Sequence, residues 1–400
     1  MLTIMRRSTR PLPSPPTRLL TAGLLTFVSF VLTGCQTGGT VSTSGSSNAP
    51  SPGSSASTLQ QATDTVDHAA YAALGYRLNW RGYALMGKRG RVRFFNVFDD
   101  GVVVHSDSNI VTLLQPSTGA IRWSRQIGQS IDHFVGETTH NGQLFVASDN
   151  ELFMLDLNTG ETQDKDDLAL VVSTPPTVID PLVIFGAGNG QTLAHNLETG
   201  FKLWAYQLQG AIIARPVRIG ESVGVVSQTG DVIIIDTVSG SATLRARIFG
   251  GLASDPVAGD DAMYVASLDQ SIYGFATQGD SWEWRVRTDH PLTEQPTLLN
   301  GVLYVGIPGE GLAALDPSAS GDRIWTSPDA AGSVVGMQGG DLVVWSRKTT
   351  TAFRVDPDTG DVISRATLPD VERMQIRPAV DGDLYTASPT GVVSKFTPRS

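Results

Sequence analysis

Glycine recurs at positions 119, 160, 200, 240, 279, 321 and 360, each time closing a short polar turn, at intervals of 41, 40, 40, 39, 42 and 39 residues. Near-equal steps copy one structural unit along the chain, and a strand-built unit of roughly 40–45 residues is a propeller blade. The unit reads most clearly as Asp156-Leu-Asn-Thr-Gly160, Asn196-Leu-Glu-Thr-Gly200-Phe-Lys-Leu-Trp204 and Asp356-Pro-Asp-Thr-Gly360. Upstream of each turn lie two apolar alternating segments, such as Leu144-Phe-Val-Ala-Ser148 and Leu152-Phe-Met-Leu-Asp156, whose period and residue types predict strands.

A third short segment precedes each pair and is often opened by proline, as at Pro176, Pro216, Pro256, Pro296 and Pro378. Proline fits the first residue of a strand, where no ladder donor is lost. A fourth follows the turn and often carries tryptophan: Trp123, Trp204 and Trp325 lie four residues past their glycine, and Trp284 lies five past Gly279. The Asp or Asn four residues before the glycine suits an Asx turn, and glycine supplies the positive φ. The indole offers a large apolar face for docking one blade on the next.

Seven units carry the turn, beginning near 95, 134, 173, 213, 253, 293 and 334, and an eighth begins at Ile376 with only three strands before Ser400. Its missing outer strand is expected from Tyr76-Arg-Leu-Asn-Trp80, ahead of the first unit, because a ring left open exposes an edge that invites aggregation. The expected fold is therefore all-β, an eight-bladed propeller of four-stranded antiparallel blades closed by an N-terminal strand over residues 76–400. Seven blades follow instead if one of the weak units is irregular. Those weak units begin near 95, 134 and 334 and lack the opening proline; the second and seventh also lack the tryptophan.

Residues 1–34 read as an export signal, with Arg6, Arg7, Arg10 and Arg18 before an uncharged apolar stretch from Leu19 to Leu32. Leu32-Thr-Gly34-Cys35 matches a bacterial lipobox, which places cleavage between Gly34 and Cys35 and lipid on Cys35. Cys35 is the only cysteine, so no intramolecular disulfide can form. Residues 35–64 are rich in Ser, Thr, Gly and Pro and carry no charge before Asp64, a tether of about 29 residues spanning on the order of 30 Å. Residues 65–75 suit one short helix, with Val66, Ala69, Ala70, Ala73 and Leu74 on one side. Cleavage removes four arginines and no acid from a net charge of −10, leaving −14. That balance argues against nucleic acid and against electrostatic docking on anionic lipid, so the lipid itself is the membrane link.

The histidines at 68, 105, 133, 140, 195 and 290 form no His-x-x-x-His or Glu-flanked pair, and Asp164-Lys-Asp-Asp167 lacks the glycine and final Glu of a calcium loop. No Ser–His–Asp set, phosphate loop or dinucleotide fingerprint can be placed. The reading is of a non-enzyme without cofactor or metal.

The Asp-x-x-Thr-Gly-x-x-x-Trp repeats resemble those of pyrroloquinoline-quinone-type propellers. Within that superfamily the lipobox, the tether, eight units, the overall length and Arg377-Pro-Ala-Val-Asp-Gly-Asp-Leu-Tyr385 resemble the BamB-like outer-membrane assembly lipoproteins. Quinoprotein alcohol dehydrogenases, the other class, are much longer and many carry paired cysteines. The resemblance implies a non-catalytic scaffold, monomeric within a complex, lipid-anchored in the outer membrane and facing the periplasm. It would grip the barrel-forming assembly subunit, or another envelope protein, through loops on one propeller face. The family's contact loop has a Leu-x-Leu-Arg pattern before a blade-opening proline; here Leu168-Ala-Leu170-Val171 precedes Pro175-Pro176, with Val171 in place of arginine. Counting blades back from the C-terminus places that loop one unit later, near Ile212-Ile213. A quinone-dependent periplasmic enzyme and a generic envelope propeller for sensing or adhesion are the alternative readings.

Overall fold

The computed structural model describes residues 66–399; Cys35, the signal segment and the tether lie outside the described residues. Thirty-two strands form eight four-stranded antiparallel sheets among the described residues. Blade one is β2–β5 (92–126), two is β6–β9 (134–167), three is β10–β13 (177–207) and four is β14–β17 (217–247). Blade five is β18–β21 (257–287), six is β22–β25 (297–327) and seven is β26–β29 (333–367). Blade eight joins β30–β32 (373–398) to β1 (Tyr76–Tyr83), in the order β1-β32-β31-β30. The outer strand of the last blade thus comes from the start of the domain. Tyr76 pairs with Pro398 and Tyr83 with Val392, Arg399 N–H donates to Gly75 O at 2.8 Å and Tyr76 Oη donates to Gly382 O at 3.2 Å.

First strands of neighbouring blades touch one another around the axis, and the two middle strands of each blade are the most buried. The reason is arithmetic of faces: a four-stranded sheet has two apolar faces and can bury them only between neighbours. Accordingly the apolar side chains form eight clusters, each drawn from two adjacent blades. One unites Val103, Leu113 and Trp123 of blade one with Phe134, Leu144 and Phe153 of blade two.

Proline sets the length of the first strand. Where it opens the unit, the strand is short: β10 (Thr177–Ile179), β14 (Val217–Ile219), β18 (Val257–Ala258) and β22 (Thr297–Leu299). Without it β2 (Val92–Phe98) and β6 (Phe134–His140) reach seven residues and β26 (Ser333–Gln338) reaches six. Proline donates nothing to the ladder, so pairing begins only after it. Blade eight departs from the sequence expectation: β30 is Arg373–Arg377, and Pro378 follows that strand instead of opening it. The eighth unit therefore begins earlier than Ile376, and Pro378 lies in the connection to β31 (Asp383–Ala387).

Helix α1 (His68–Ala73) is capped by Asp67, whose carboxylate accepts from Ala69 N and Ala70 N. Its buried residues are Tyr71 and, at its end, Leu74, while Ala69 faces solvent. Tyr71 stacks on Phe396 with ring centroids 3.7 Å apart, and burial pushes its hydroxyl up to about 12.

Candidate functional site

At five of the eight seams the tryptophan of one blade meets the turn glycine of the next. In the turns, Asp156 Oδ1 accepts from Asn158 N at 2.9 Å and Thr159 N at 2.8 Å, and Asn196, Asp236, Asp316 and Asp356 make the same kind of bond. The Thr159, Ser239 and Thr359 backbone N–H groups hold the Asp156, Asp236 and Asp356 carboxyls below the usual carboxylate range, and the Ser318 hydroxyl does so for Asp316. Gly119, Gly160, Gly200, Gly240, Gly321 and Gly360 have φ between 66° and 79°, and Gly279 has 136°.

A Cβ added at five of these glycines would run into the preceding blade's indole: Trp80 at Gly119, Trp123 at Gly160, Trp204 at Gly240, Trp284 at Gly321 and Trp325 at Gly360. The indole N–H of Trp80, Trp123 and Trp325 donates to the carbonyl three residues before that glycine, at 2.8, 2.9 and 2.7 Å. Trp204 Nε1 is buried without a partner, and the Tyr206 hydroxyl makes the cross-seam bond to Gly240 O at 2.7 Å.

Two of the seams that have a turn glycine do without the indole. Between blades two and three, Asp164 holds the tryptophan's ladder position opposite Met154, and the seam is bridged by His195 Nε2 to Asp166 Oδ2 at 3.0 Å and His140 Nε2 to Asp180 Oδ1 at 3.1 Å. Between blades four and five, Gly279 N–H donates to Thr243 O at 3.1 Å and the Thr243 hydroxyl to Thr277 O at 2.5 Å.

Nearer the axis a polar chain crosses the blades. Gln375 on β30 accepts from Val97 N and donates to Phe95 O. Buried Glu137 on β6 takes Asn96 Nδ2 at 3.0 Å and His105 Nδ1 at 3.1 Å. Arg215 donates through Nη2 to Glu137 O at 3.4 Å, and its N–H donates to Asp255 Oδ1 at 2.7 Å. Burial draws the Arg215 guanidinium below its ordinary value, opposed by the charges of Asp255 and Glu137. Both Glu137 oxygens are committed to donors from blade one, so the carboxylate clasps two blades together. Among the described residues no group of three or more His, Cys, Asp or Glu could hold a metal ion.

Because strands alternate in direction, every connection from an outer strand to the next blade's first strand lies on one face, and the glycine turns lie on the other. The connection after β9 (Thr162–Asp167) holds Leu168 and Leu170. Leu168, 5 % exposed, belongs to the cluster between blades two and three with Phe145, Val172 and Leu193, and Leu170 packs partly buried against it. The pair anchors the loop, and Val171, 64 % exposed, is the apolar side chain that faces out. One blade further Ile212 is buried and Ile213 exposed. The same face presents Leu85, Ile131 and Phe249, the last 71 % exposed. Phe249 is held in place by Arg285 over its ring at 5.0 Å and by Trp282 at 6.0 Å.

These five tips come from five consecutive connections, starting with the one into blade one. The next three, 288–296, 328–332 and 368–372, expose no large apolar side chain. The face is therefore apolar along one arc. The family pattern pointed to Leu168 and Leu170, with Val171 only as a departure from arginine, and the blade count to Ile212-Ile213; Leu85, Ile131 and Phe249 fall outside both. The signal available was an apolar residue inside a connection, where no strand alternation explains it.

Eight blades, tryptophan-on-glycine seams and Asx turns define a PQQ-repeat β-propeller. The family model described as outer membrane protein assembly factor BamB matches residues 36–275, 207–318 and 277–399. The chain belongs to that family. Curated relatives named outer membrane protein assembly factor BamB are 26 % identical over 155 residues in Bordetella pertussis, covering 38 % of this chain and 40 % of the relative. In Burkholderia pseudomallei the relative is 25 % identical over 161 residues, covering 39 % and 42 %. The matches thus span about two-fifths of those relatives' length. Among solved structures, BamB from Moraxella catarrhalis matches with a TM-score of 0.62 and 18 % identity over 79 % of this chain and 97 % of that one. The computationally designed Ika8 protein matches with 0.67 and 12 %, over 80 % and 99 %. At these identities the structural likeness concerns the fold.

Proposed function

We propose that the chain is an outer membrane protein assembly factor that works as a non-catalytic scaffold, exported by residues 1–34, lipidated at Cys35 and held by the 35–64 tether with its propeller in the periplasm. Family membership supports the assembly role. The observation that carries the scaffold reading is the arc of exposed apolar tips, Val171, Ile213 and Phe249 foremost. Apolar side chains gathered on one face of a soluble domain mark a protein-binding surface. Its occupant in this reading is the barrel-forming assembly subunit. Leu168 and Leu170 contribute by fixing the loop that presents Val171.

The test is recovery of that subunit from solubilised membranes on tagged protein. V171D/I213D/F249D is expected to lower recovery at least tenfold with an unchanged unfolding temperature. Wild-type protein that recovers no assembly subunit, or undiminished recovery by the triple variant, overturns the reading.

A further inference from the structure

Every blade of a propeller leaves the free edge of its fourth strand facing outward, and an uncovered edge is a template for another strand. Charge or cover is the usual defence, and seven of the eight blades here have it. Strands β1, β5 (Ile121–Gln126), β17 (Ala242–Arg247) and β21 (Trp284–Arg287) each carry two arginines. Strand β9 carries three aspartates and a lysine, and β25 (Asp322–Ser327) an Asp–Arg pair. Strand β29 (Val362–Thr367) has Arg365 alone, but α1 lies against it and the Ser364 hydroxyl donates to Ala73 O at 2.6 Å.

Strand β13 (Phe201–Gln207) is the exception. It is one residue longer than its counterparts in blades one, two, four, six and seven, and its single charge is Lys202. It exposes two large apolar side chains, Phe201 at 74 % and Leu203 at 57 %. On blade four, the turn whose Gly240 packs on Trp204 also exposes Val238.

We propose that the free edge of β13 is a docking site for an extended polypeptide segment with apolar side chains at every second residue, which adds to blade three as a fifth strand. Backbone groups on the edge supply the affinity, and Phe201, Leu203 and Val238 supply the preference for apolar residues on alternate positions. A second copy of the folded chain is the poorer fit. With Leu203 in a bulge, six paired residues make a contact about 20 Å long and one strand wide, well short of the roughly 1,000 Å² a stable interface needs. In an assembly factor the segment is an unpaired strand of a barrel protein, which alternates apolar and polar residues; that identity rests on the function proposed above.

The probe is a fluorescent ten-residue peptide of alternating Val and Thr with a lysine at each end. Its controls are the same composition with Val and Thr in separate blocks, and the alternating peptide with two central prolines. Binding of the alternating peptide to the full chain is expected at least tenfold tighter than either control. F201K/L203K is expected to weaken it at least tenfold while leaving the unfolding temperature and recovery of the assembly subunit unchanged. Equal binding of all three peptides, undiminished binding by the double variant, or a concentration-dependent dimer that the double variant abolishes would overturn the proposal. Failed peptide binding with intact subunit recovery removes the edge site alone, whereas failed recovery with intact peptide binding removes the scaffold reading.

Discussion

The turn glycines are not equivalent, although the sequence writes them alike. Gly160 and Gly200 share a left-handed φ of 69° and 68°, yet a Cβ on Gly160 would penetrate the Trp123 ring, while one on Gly200 would meet only an Asp166 oxygen at 3.8 Å. Gly200→Ala is therefore expected to cost only the left-handed backbone term, about 1 kcal/mol. Gly160→Ala adds displacement of a packed indole, for a total of about 2–4 kcal/mol. Urea midpoints of the two variants, side by side, check this: equal losses would mean that the indole contact contributes nothing. The Asp-x-x-Thr-Gly pattern was legible because an Asx turn is local chemistry. Which glycine bears an indole was not, since that depends on the residue 35 to 39 positions back, at a ladder place that Asp164 fills in blade two.

At the scale of the strand, the seams separate what the indole contributes by area from what it contributes by its N–H. Trp123 donates to Leu157 O at 2.9 Å, whereas the Nε1 of partly buried Trp204 has no acceptor. Both Trp123→Phe and Trp204→Phe lose ring area, and Trp123→Phe should cost about 1 kcal/mol more because only it also loses a hydrogen bond. Thermal unfolding of the pair reads the difference, and a larger loss at 204 would contradict it. Strand existence followed from alternation, whereas the short first strand behind proline in four blades came only from the pairing. Blade eight escaped that rule: Pro378 looked like the other opening prolines, but only the pairing of Arg373 with Ala387 and Arg377 with Asp383 shows that the strand lies before it.

For the whole molecule, closure is the decisive step. Without β1 the last blade would expose β32 (Val392–Pro398), and the 8/1 cluster would lose Trp80, which packs there with Tyr385 and Val393. The seam between blades seven and eight has no covalent turn to receive an indole, because blade eight's third and fourth strands come from opposite ends of the chain. Helix α1 fills that place, with Tyr71 and Leu74 in the 7/8 cluster. Removal of residues 1–83 is expected to yield a protein that associates with concentration in light scattering. A peptide spanning 66–83, added in trans, should restore the monomer; a truncated chain that stays monomeric alone would show that β1 is dispensable.

The sequence by itself determined the period, hence the blade, and the incomplete eighth unit, hence the need for a strand from the N-terminal side. These are properties of hydrophobic alternation and turn chemistry, which act within a few residues. Tertiary structure alone decided which blades dock through tryptophan, which through histidine–carboxylate pairs, and which apolar residues end outside the core. Leu168 and Val171 lie three positions apart in one apolar run, and only the packing of Phe145 and Leu193 against the loop draws the first inward and leaves the second in solvent. Exposure is a property of neighbours distant in sequence, and a ring of eight similar units makes those neighbours differ from seam to seam.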